Sequence, residues 1–341
     1  MSSLKKISPL IILLTSFFCH AQSTPVRNLI FEGAGIRGIA YSGAIKELEA
    51  RNILKDVQRV GGTSSGAITA LLLSIGYSAD EIASIITSTP FRRFNDGKFF
   101  FVGGINRFHK YFGWYRGEKF EKWLSKLIEA KTTNANSTFR ELKQRGFKDL
   151  YVTGTCLNKQ SLIVFSNENY PNMKVKDAIR ISISIPLYFE AVFIDSSGKI
   201  IHHPKNKTGL DVMVDGGIIA NFPIKIFDST KYLNASKSNS FTPNSQTIGF
   251  RIDREDQIHN DTSGKSLAPM EINSLKDYFG AFYNIVIENL NRQMLTREDW
   301  LRTVSISDGN VAPRVRRIPK EDVTILMNNG AIATKKYFSG K

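Results

Sequence analysis

A serine set between glycines, Gly62-Thr63-Ser64-Ser65-Gly66, stands between a short segment at 57–61 and a longer apolar run at 67–75. The first reads as a strand and the second as a helix apolar nearly all round, hence buried. A strand that turns sharply into a helix has no room for side chains on either side of its apex, which is what glycines at 62 and 66 provide. Ser64 Oγ would then project from a helix N-terminus, where the dipole favours a developing alkoxide. Nucleophilic attack on an acyl carbonyl is the chemistry such a serine can do. The plain alternative is an ordinary turn.

The serine needs a base. After residue 21 the chain holds four histidines: His109, His202, His203 and His259. Ser64, Asp215 and His259 occur in the order of an α/β-hydrolase triad. His259, however, lies in the hydrophilic run 254–261, which reads as an exposed loop, and the serine turn follows only two strands. A malonyl-transacylase-type site needs a histidine beside the serine, where Thr63 stands. Asp215 acting alone is the remaining candidate. It follows the apolar Val212-Met213-Val214 and precedes Gly216 and Gly217, at the end of a buried strand, where open α/β sheets place their sites. A strand-end turn explains Asp-Gly-Gly equally well. An aspartate of ordinary pKa, about 3.9, is a weak base, and burial would strengthen it.

A third feature is Gly33-Ala34-Gly35-Ile36-Arg37-Gly38. Its spacing fits the dinucleotide fingerprint, but that site wants a carboxylate at the end of the second strand, and Arg59-Val60-Gly61 stands there. What remains is a loop of backbone N–H groups opening a helix, suited to holding negative charge. A cation in a first helical turn is disfavoured by the dipole, so Arg37 is expected to have an anionic partner unless it points to solvent.

In this order the three motifs, EGAGIRG from Glu32, GTSSG from Gly62 and DGG from Asp215, resemble the patatin-like phospholipase family. Two further blocks are similar to it: Gly113-Trp114-Tyr115-Arg116-Gly117-Glu118, and the stretch Ala178-Ile179-Arg180 through Pro186 to Phe189. The resemblance covers 27–223. It implies Ser64 as nucleophile and Asp215 as the base for the serine and later for water. It also implies an oxyanion hole of N–H groups around Gly33, Ala34, Gly35 and Gly38 with Arg37 nearby, and Gly62, Gly66, Gly216 and Gly217 as its supports. The implied reaction is hydrolysis of a lipid carboxylic ester, as in phospholipase A or lysophospholipase, through an acyl-enzyme and without metal or organic cofactor. Ala34 departs from the pattern, because the family often has glycine there and a positive φ would strain alanine. A relative that binds lipid or protein without catalysis is the second class of reading.

These residues must be positioned by a framework, and strands alternate with helices from 26 onward. Short strands are expected at 26–32, 57–61 and 212–214, with paired strands at 150–156 and 161–166. A helix buries Ile39, Ala40, Ala44, Ile45 and Leu48; Ser78 with Glu81 is a capping box; and 117–130 carries Phe120, Trp123, Leu124, Leu127 and Ile128 at helical spacing. The alternation points to an α/β three-layer sandwich, α/β/α, and the resemblance to a mostly parallel central sheet of the patatin type. One site spread from Gly33 to Asp215 requires one domain over 22–341, with a motif-bearing core at 27–223 and a looser remainder at 224–341. Within that remainder 229–246 and 253–269 read as polar loops, and helices are expected at 275–295 and 321–337.

The 341 residues are 42% hydrophobic and 23% charged, a globular composition. Residues 1–21 read as a secretory signal: Lys5 and Lys6, an apolar run, then Cys19-His20-Ala21 as a cleavage site. The expectation is an exported protein, secreted or periplasmic, with lipoprotein anchoring at Cys19 disfavoured by the bulk of Phe18. After cleavage Cys156 is the remaining cysteine, which excludes an internal disulfide. Lys and Arg outnumber Asp and Glu by 46 to 31. Export makes nucleic acid remote as the anionic partner and favours phospholipid or another lipid ester at an anionic membrane surface. The segment 91–123 interleaves rings with cations (Phe91, Arg92, Arg93, Phe94 at its start). Two readings stand: rings entering a membrane interface, or rings packed as core beneath a lid.

Overall fold

The computed structural model describes residues 25–97, 100–233, 242–265, 267–285, 292, 294–311 and 319–340. The proposed signal segment lies outside them. Ten strands are described: β1 Asn28–Phe31, β2 Arg59–Gly62, β3 Gly113–Tyr115, β4 Asp149–Cys156, β5 Ser161–Phe165, β6 Leu187–Phe189, β7 Val192–Ile194, β8 Asp211–Asp215, β9 Thr247–Asp253 and β10 Thr303–Ser307. The helices that follow β1 and β2 are α1 Ala40–Ala50 and α2 Ser65–Ser74. After them come α3 Ala79–Ser88, α4 Phe100–Tyr111, α5 Glu118–Thr132, α6 Phe139–Gln144, α7 Val175–Ser182, α8 Gly217–Ala220, α9 Glu255–Thr262, α10 Leu275–Asn284, α11 Arg297–Leu301 and α12 Lys320–Ser339.

Eight strands form one sheet in the order β10-β9-β1-β2-β4-β8-β7, with β5 also paired to β4; β3 and β6 form a separate pair. The five strands β10, β9, β1, β2 and β4 form a parallel run, whereas β5 and β8 pair antiparallel with β4 and β7 antiparallel with β8. The sheet is therefore mostly parallel and flanked by helices, as expected. Alternate residues of its strands feed opposite faces. Leu29 and Phe31 join a large core with α1, α2, α3, α5 and α7, whereas Ile30 and Tyr151 face a smaller cluster with Phe222, Ile224 and Phe227.

The looser C-terminal part supplies β9 and β10, so the sheet continues through it, and α12 packs on α1. At that crossing a Cβ on Gly43 would lie 1.9 Å from Met327 O, and one on Gly330 2.0 Å from Ala40 O. Only glycine lets the two backbones approach so closely. The expected capping box is present, with Ser78 Oγ accepting from Glu81 N–H and Glu81 Oε2 from Ser78 N–H. One expectation needs correction, and another is described only in part. The run 253–269 is not all loop, because 255–262 forms α9 behind two first-turn acids. The helix expected at 275–295 is described only to Asn284, and 286–291 and 293 lie outside the described residues.

The register of β4 is what assembles the site. Val152 pairs with Gly62 of β2 and with Phe165 of β5, so β2 and β5 lie on opposite edges of β4. Gly154 pairs with Ile163 of β5 and with Asp215 of β8, so β8 lies on the same edge as β2. Running in opposite directions along one edge, β2 and β8 end two residues apart against β4. The residues just after Gly62 and at the end of β8 must therefore meet.

Candidate active site

Ser64 sits at the apex between β2 and α2 with φ 52° and ψ −121°, a conformation that costs a non-glycine residue about 1–3 kcal/mol. The flanking glycines are required by contact distance. A Cβ on Gly62 would lie 2.6 Å from Gly66 O and 2.7 Å from Phe31 O, and one on Gly66 2.2 Å from Phe31 O. Surrounding hydroxyls hold the turn. Ser64 N–H donates to Ser182 Oγ at 2.9 Å, and Thr63 Oγ1 donates to Ala220 O at 2.8 Å while lying 2.6 Å from Thr153 Oγ1.

Asp215 is 3% exposed. Its Oδ1 accepts from Gly217 N–H at 2.8 Å, and its buried Oδ2 makes no hydrogen bond of ordinary geometry. Burial drives its pKa from the usual carboxylate value up to about 7, against the smaller opposing pull of the Gly217 N–H and of the nearby Ser64 hydroxyl. Gly216 is pressed against β4, where a Cβ would lie 2.4 Å from Thr153 Oγ1.

The glycine-rich loop is clamped at its base and at its end. Glu32 is buried, accepts from Ile252 N–H through Oε2 and faces Arg251 at 3.5 Å, while its carbonyl accepts from Tyr41 OH at 2.8 Å. Asn221 brackets the next residue: its Nδ2 donates to Gly33 O at 2.9 Å and its carbonyl accepts from Gly33 N–H at 3.1 Å. Ala34 has φ −134°, so the feared strain does not arise; the left-handed conformation falls on Gly35 at φ 55°. Ala34 N–H donates to Ser65 Oγ at 2.9 Å. Gly35 N–H has no hydrogen-bond partner among the described residues, and Gly35 has open space where a Cβ would be. Gly38 packs on the same serine, its site for a Cβ lying 3.1 Å from Ser65 Oγ. Arg37 has the expected anionic partner, with its Nη1 3.2 Å from Asp308 Oδ2. Burial keeps the Asp308 pKa above its ordinary value in spite of that guanidinium.

Ser64, Asp215 and the loop from Gly33 to Gly38 line one cavity of about 600 Å³. Its other walls are mainly apolar, with Ile68, Ile86, Phe91, Phe94, Phe120 and Trp123 on one flank. The rings interlock there, Phe94 lying 5.4 Å from both Phe120 and Trp123 between centroids. This start of the 91–123 segment is thus cavity wall and core. Farther along it, Ile105 and Phe108 of α4 and Phe112 just after it are partly exposed. His259 is exposed on α9, and none of the four histidines lines the cavity. Asn221 and Asp308 escaped the sequence reading because no motif marks them, and Ser65 and Ser182 stand inside quoted motifs that gave them no role; each acts through a contact made by folding.

Comparison with known proteins identifies the family. The family profile of patatin-like phospholipases matches residues 29–228. An uncharacterized protein R571 of Acanthamoeba polyphaga mimivirus is 31% identical over 208 residues, 61% of this chain and 63% of that protein. A probable lipid hydrolase 463L of Invertebrate iridescent virus 6 is 27% identical over 209 residues, 61% of this chain and 64% of that protein. The matches span less than two thirds of these two relatives' own length. Among solved structures, VipD from Legionella pneumophila superposes with a TM-score of 0.54 over 93% of this chain and 67% of that one at 15% identity, a likeness of fold. With the profile covering more than half of its length, this chain belongs to the patatin-like phospholipase family.

Proposed function

We propose that this protein hydrolyses carboxylic esters of lipids through an acyl-enzyme on Ser64, with Asp215 as the base. One observation carries the reading: a serine at a strained strand-to-helix apex and a buried aspartate of pKa about 7 open together into a largely apolar cavity of about 600 Å³. In the first step Asp215 takes the Ser64 proton as Oγ attacks the ester carbonyl, and the protonated carboxyl then delivers it to the departing alcohol. In the second, Asp215 accepts a proton from water as it attacks the acyl carbonyl, and returns that proton to Ser64 Oγ as the acyl C–O bond breaks and the fatty acid departs. Near neutral pH such an aspartate is divided between its two forms, which suits a group that must serve as base and acid in turn. The Gly35 N–H and the helix end that follows it would receive the oxyanion, with Arg37 held beside them by Asp308. Apolar walls suit an acyl chain, whose burial contributes about 0.8 kcal/mol per methylene.

The same reading makes the protein an exported one that works at an anionic lipid surface. Its test is Ser64→Ala. That variant should lose hydrolysis of short-chain esters and labelling by a fluorophosphonate probe while keeping the wild-type circular dichroism spectrum. Full activity in the variant would refute the assignment.

A further inference from the structure

A second apolar surface adjoins the cavity. Met270, which lines it, is also 40% exposed, and it is followed by Ile272 at 52% and by α10. On α10 and its C-terminal boundary Leu275, Tyr278, Phe282 and Ile285 are 56–72% exposed. Spacings of three, four and three residues place these four within one arc of a helix of 3.6 residues per turn. The helix is closed locally, because Ser274 Oγ accepts from Asp277 N–H at 3.1 Å and donates to Asp277 Oδ2 at 2.7 Å. Its inner side is marked by the buried Ala281. A capped helix whose large apolar side chains are this exposed presents an apolar face to solvent.

What covers the face follows from where it begins. Met270 is both a lining residue of the cavity and the start of the exposed apolar stretch that runs through Ile272 into α10, so a partner laid along that stretch reaches the cavity. A lipid ester must leave its bilayer to reach Ser64, and a bilayer in that place would offer an apolar path throughout. Tyr278 has the apolar body and polar tip that suit a headgroup boundary. The chain's excess of 46 basic over 31 acidic residues favours an anionic bilayer. No helix among the described residues is long and apolar enough to cross a membrane, so the contact would be peripheral.

We propose that the outward face of α10, continued through Ile272 to Met270, docks the cavity mouth onto an anionic phospholipid bilayer. The proposal rests on the lipid-hydrolase reading of the cavity, and its test separates the two. The purified full chain is sedimented with vesicles of phosphatidylcholine alone or mixed with phosphatidylglycerol. The wild type and Ser64→Ala should bind the mixed vesicles alike. The triple variant Leu275→Ser, Phe282→Ser, Ile285→Ser should bind them at least about tenfold more weakly, yet hydrolyse a soluble short-chain ester at the wild-type rate. Tyr278→Cys carrying an environment-sensitive fluorophore reads the contact without removing those apolar groups, and its emission should shift to the blue on mixed vesicles alone. Equal vesicle binding by the triple variant, or an unshifted fluorophore, overturns the docking. So does light scattering that shows a wild-type dimer dispersed by the triple substitution, since a second copy would then cover the face. Vesicle binding that depends on α10 in a chain without esterase activity would sustain the docking and sink the catalytic reading.

Discussion

Replacing Asp215 by asparagine should stabilise the protein and abolish its activity, and the stabilisation should depend on pH. Burial lifts the aspartate from 3.8 to about 7 in the folded chain, whereas in the unfolded chain it titrates near its ordinary value. Between those values the folded state holds a proton that the unfolded state has released, so stability falls as pH rises. The contribution is fully present below the unfolded pKa and is lost as pH rises through the folded one. Each pH unit of that window changes stability by about 1.36 kcal/mol, for a total on the order of 4 kcal/mol. Asparagine has the same shape, can still accept from Gly217 N–H and carries no charge to desolvate. The variant and the wild type should therefore unfold at similar urea concentrations near about pH 4, and diverge to a gap of up to about 4 kcal/mol in the variant's favour by about pH 8. The chain's three tryptophans supply the fluorescence signal. In parallel, wild-type hydrolysis of a soluble ester should rise with pH to a plateau along a limb centred near 7, and the variant should show no such activity at any pH. A stability gap independent of pH would refute the reasoning, as would a wild-type rate that is flat across neutrality.

Other substitutions test the supports of the site. Ser64→Gly removes the side chain that makes φ 52° costly and should raise stability by about 1–3 kcal/mol while eliminating turnover; an unchanged urea midpoint would show that the apex stores no strain. Gly66→Ala puts a methyl 2.2 Å from Phe31 O, and recovery of soluble folded protein from that variant would contradict the packing of the turn. Asn221→Ala leaves Gly33 O without its side-chain donor, which should cost about 1–3 kcal/mol and lower kcat as the loop loosens, both measurable on one preparation. Asp308→Asn should lower kcat more than it raises KM by releasing Arg37, and Asp308→Glu should restore part of the loss; equal effects from both variants would argue against an ion-pair role.

Much of the site was legible because its local parts obey local rules. A sharp strand-to-helix turn excludes side chains at its flanks, so Gly62 and Gly66 announce the apex and Ser64 between them. A cation opening a helix needs a counter-charge, so Arg37 foretold a carboxylate, although not which one. Alternation of strands and helices foretold the layered α/β fold, the family resemblance its mostly parallel sheet, and Ser78 with Glu81 the start of α3. The errors arose where local polarity was weighed alone: the hydrophilic run around His259 folds as α9 because a helix can be polar on nearly every side when its buried anchors are as few as Gln257. Ala34 raised a concern about strain that disappears because the loop places its positive φ one residue later.

Sequence by itself therefore determined the family, the apex serine and the order of the three motifs, since each depends on neighbours within a few residues. Tertiary structure alone decided that the end of β8, with Asp215, comes beside the turn that carries Ser64, because β2 and β8 end against the same edge of β4, a relation set by pairing across about 90 and 60 residues of chain. It decided that Asp308 is the partner of Arg37, 271 positions away. It also decided the pKa of Asp215, because desolvation belongs to the packed surroundings of a carboxyl and not to its place in the chain.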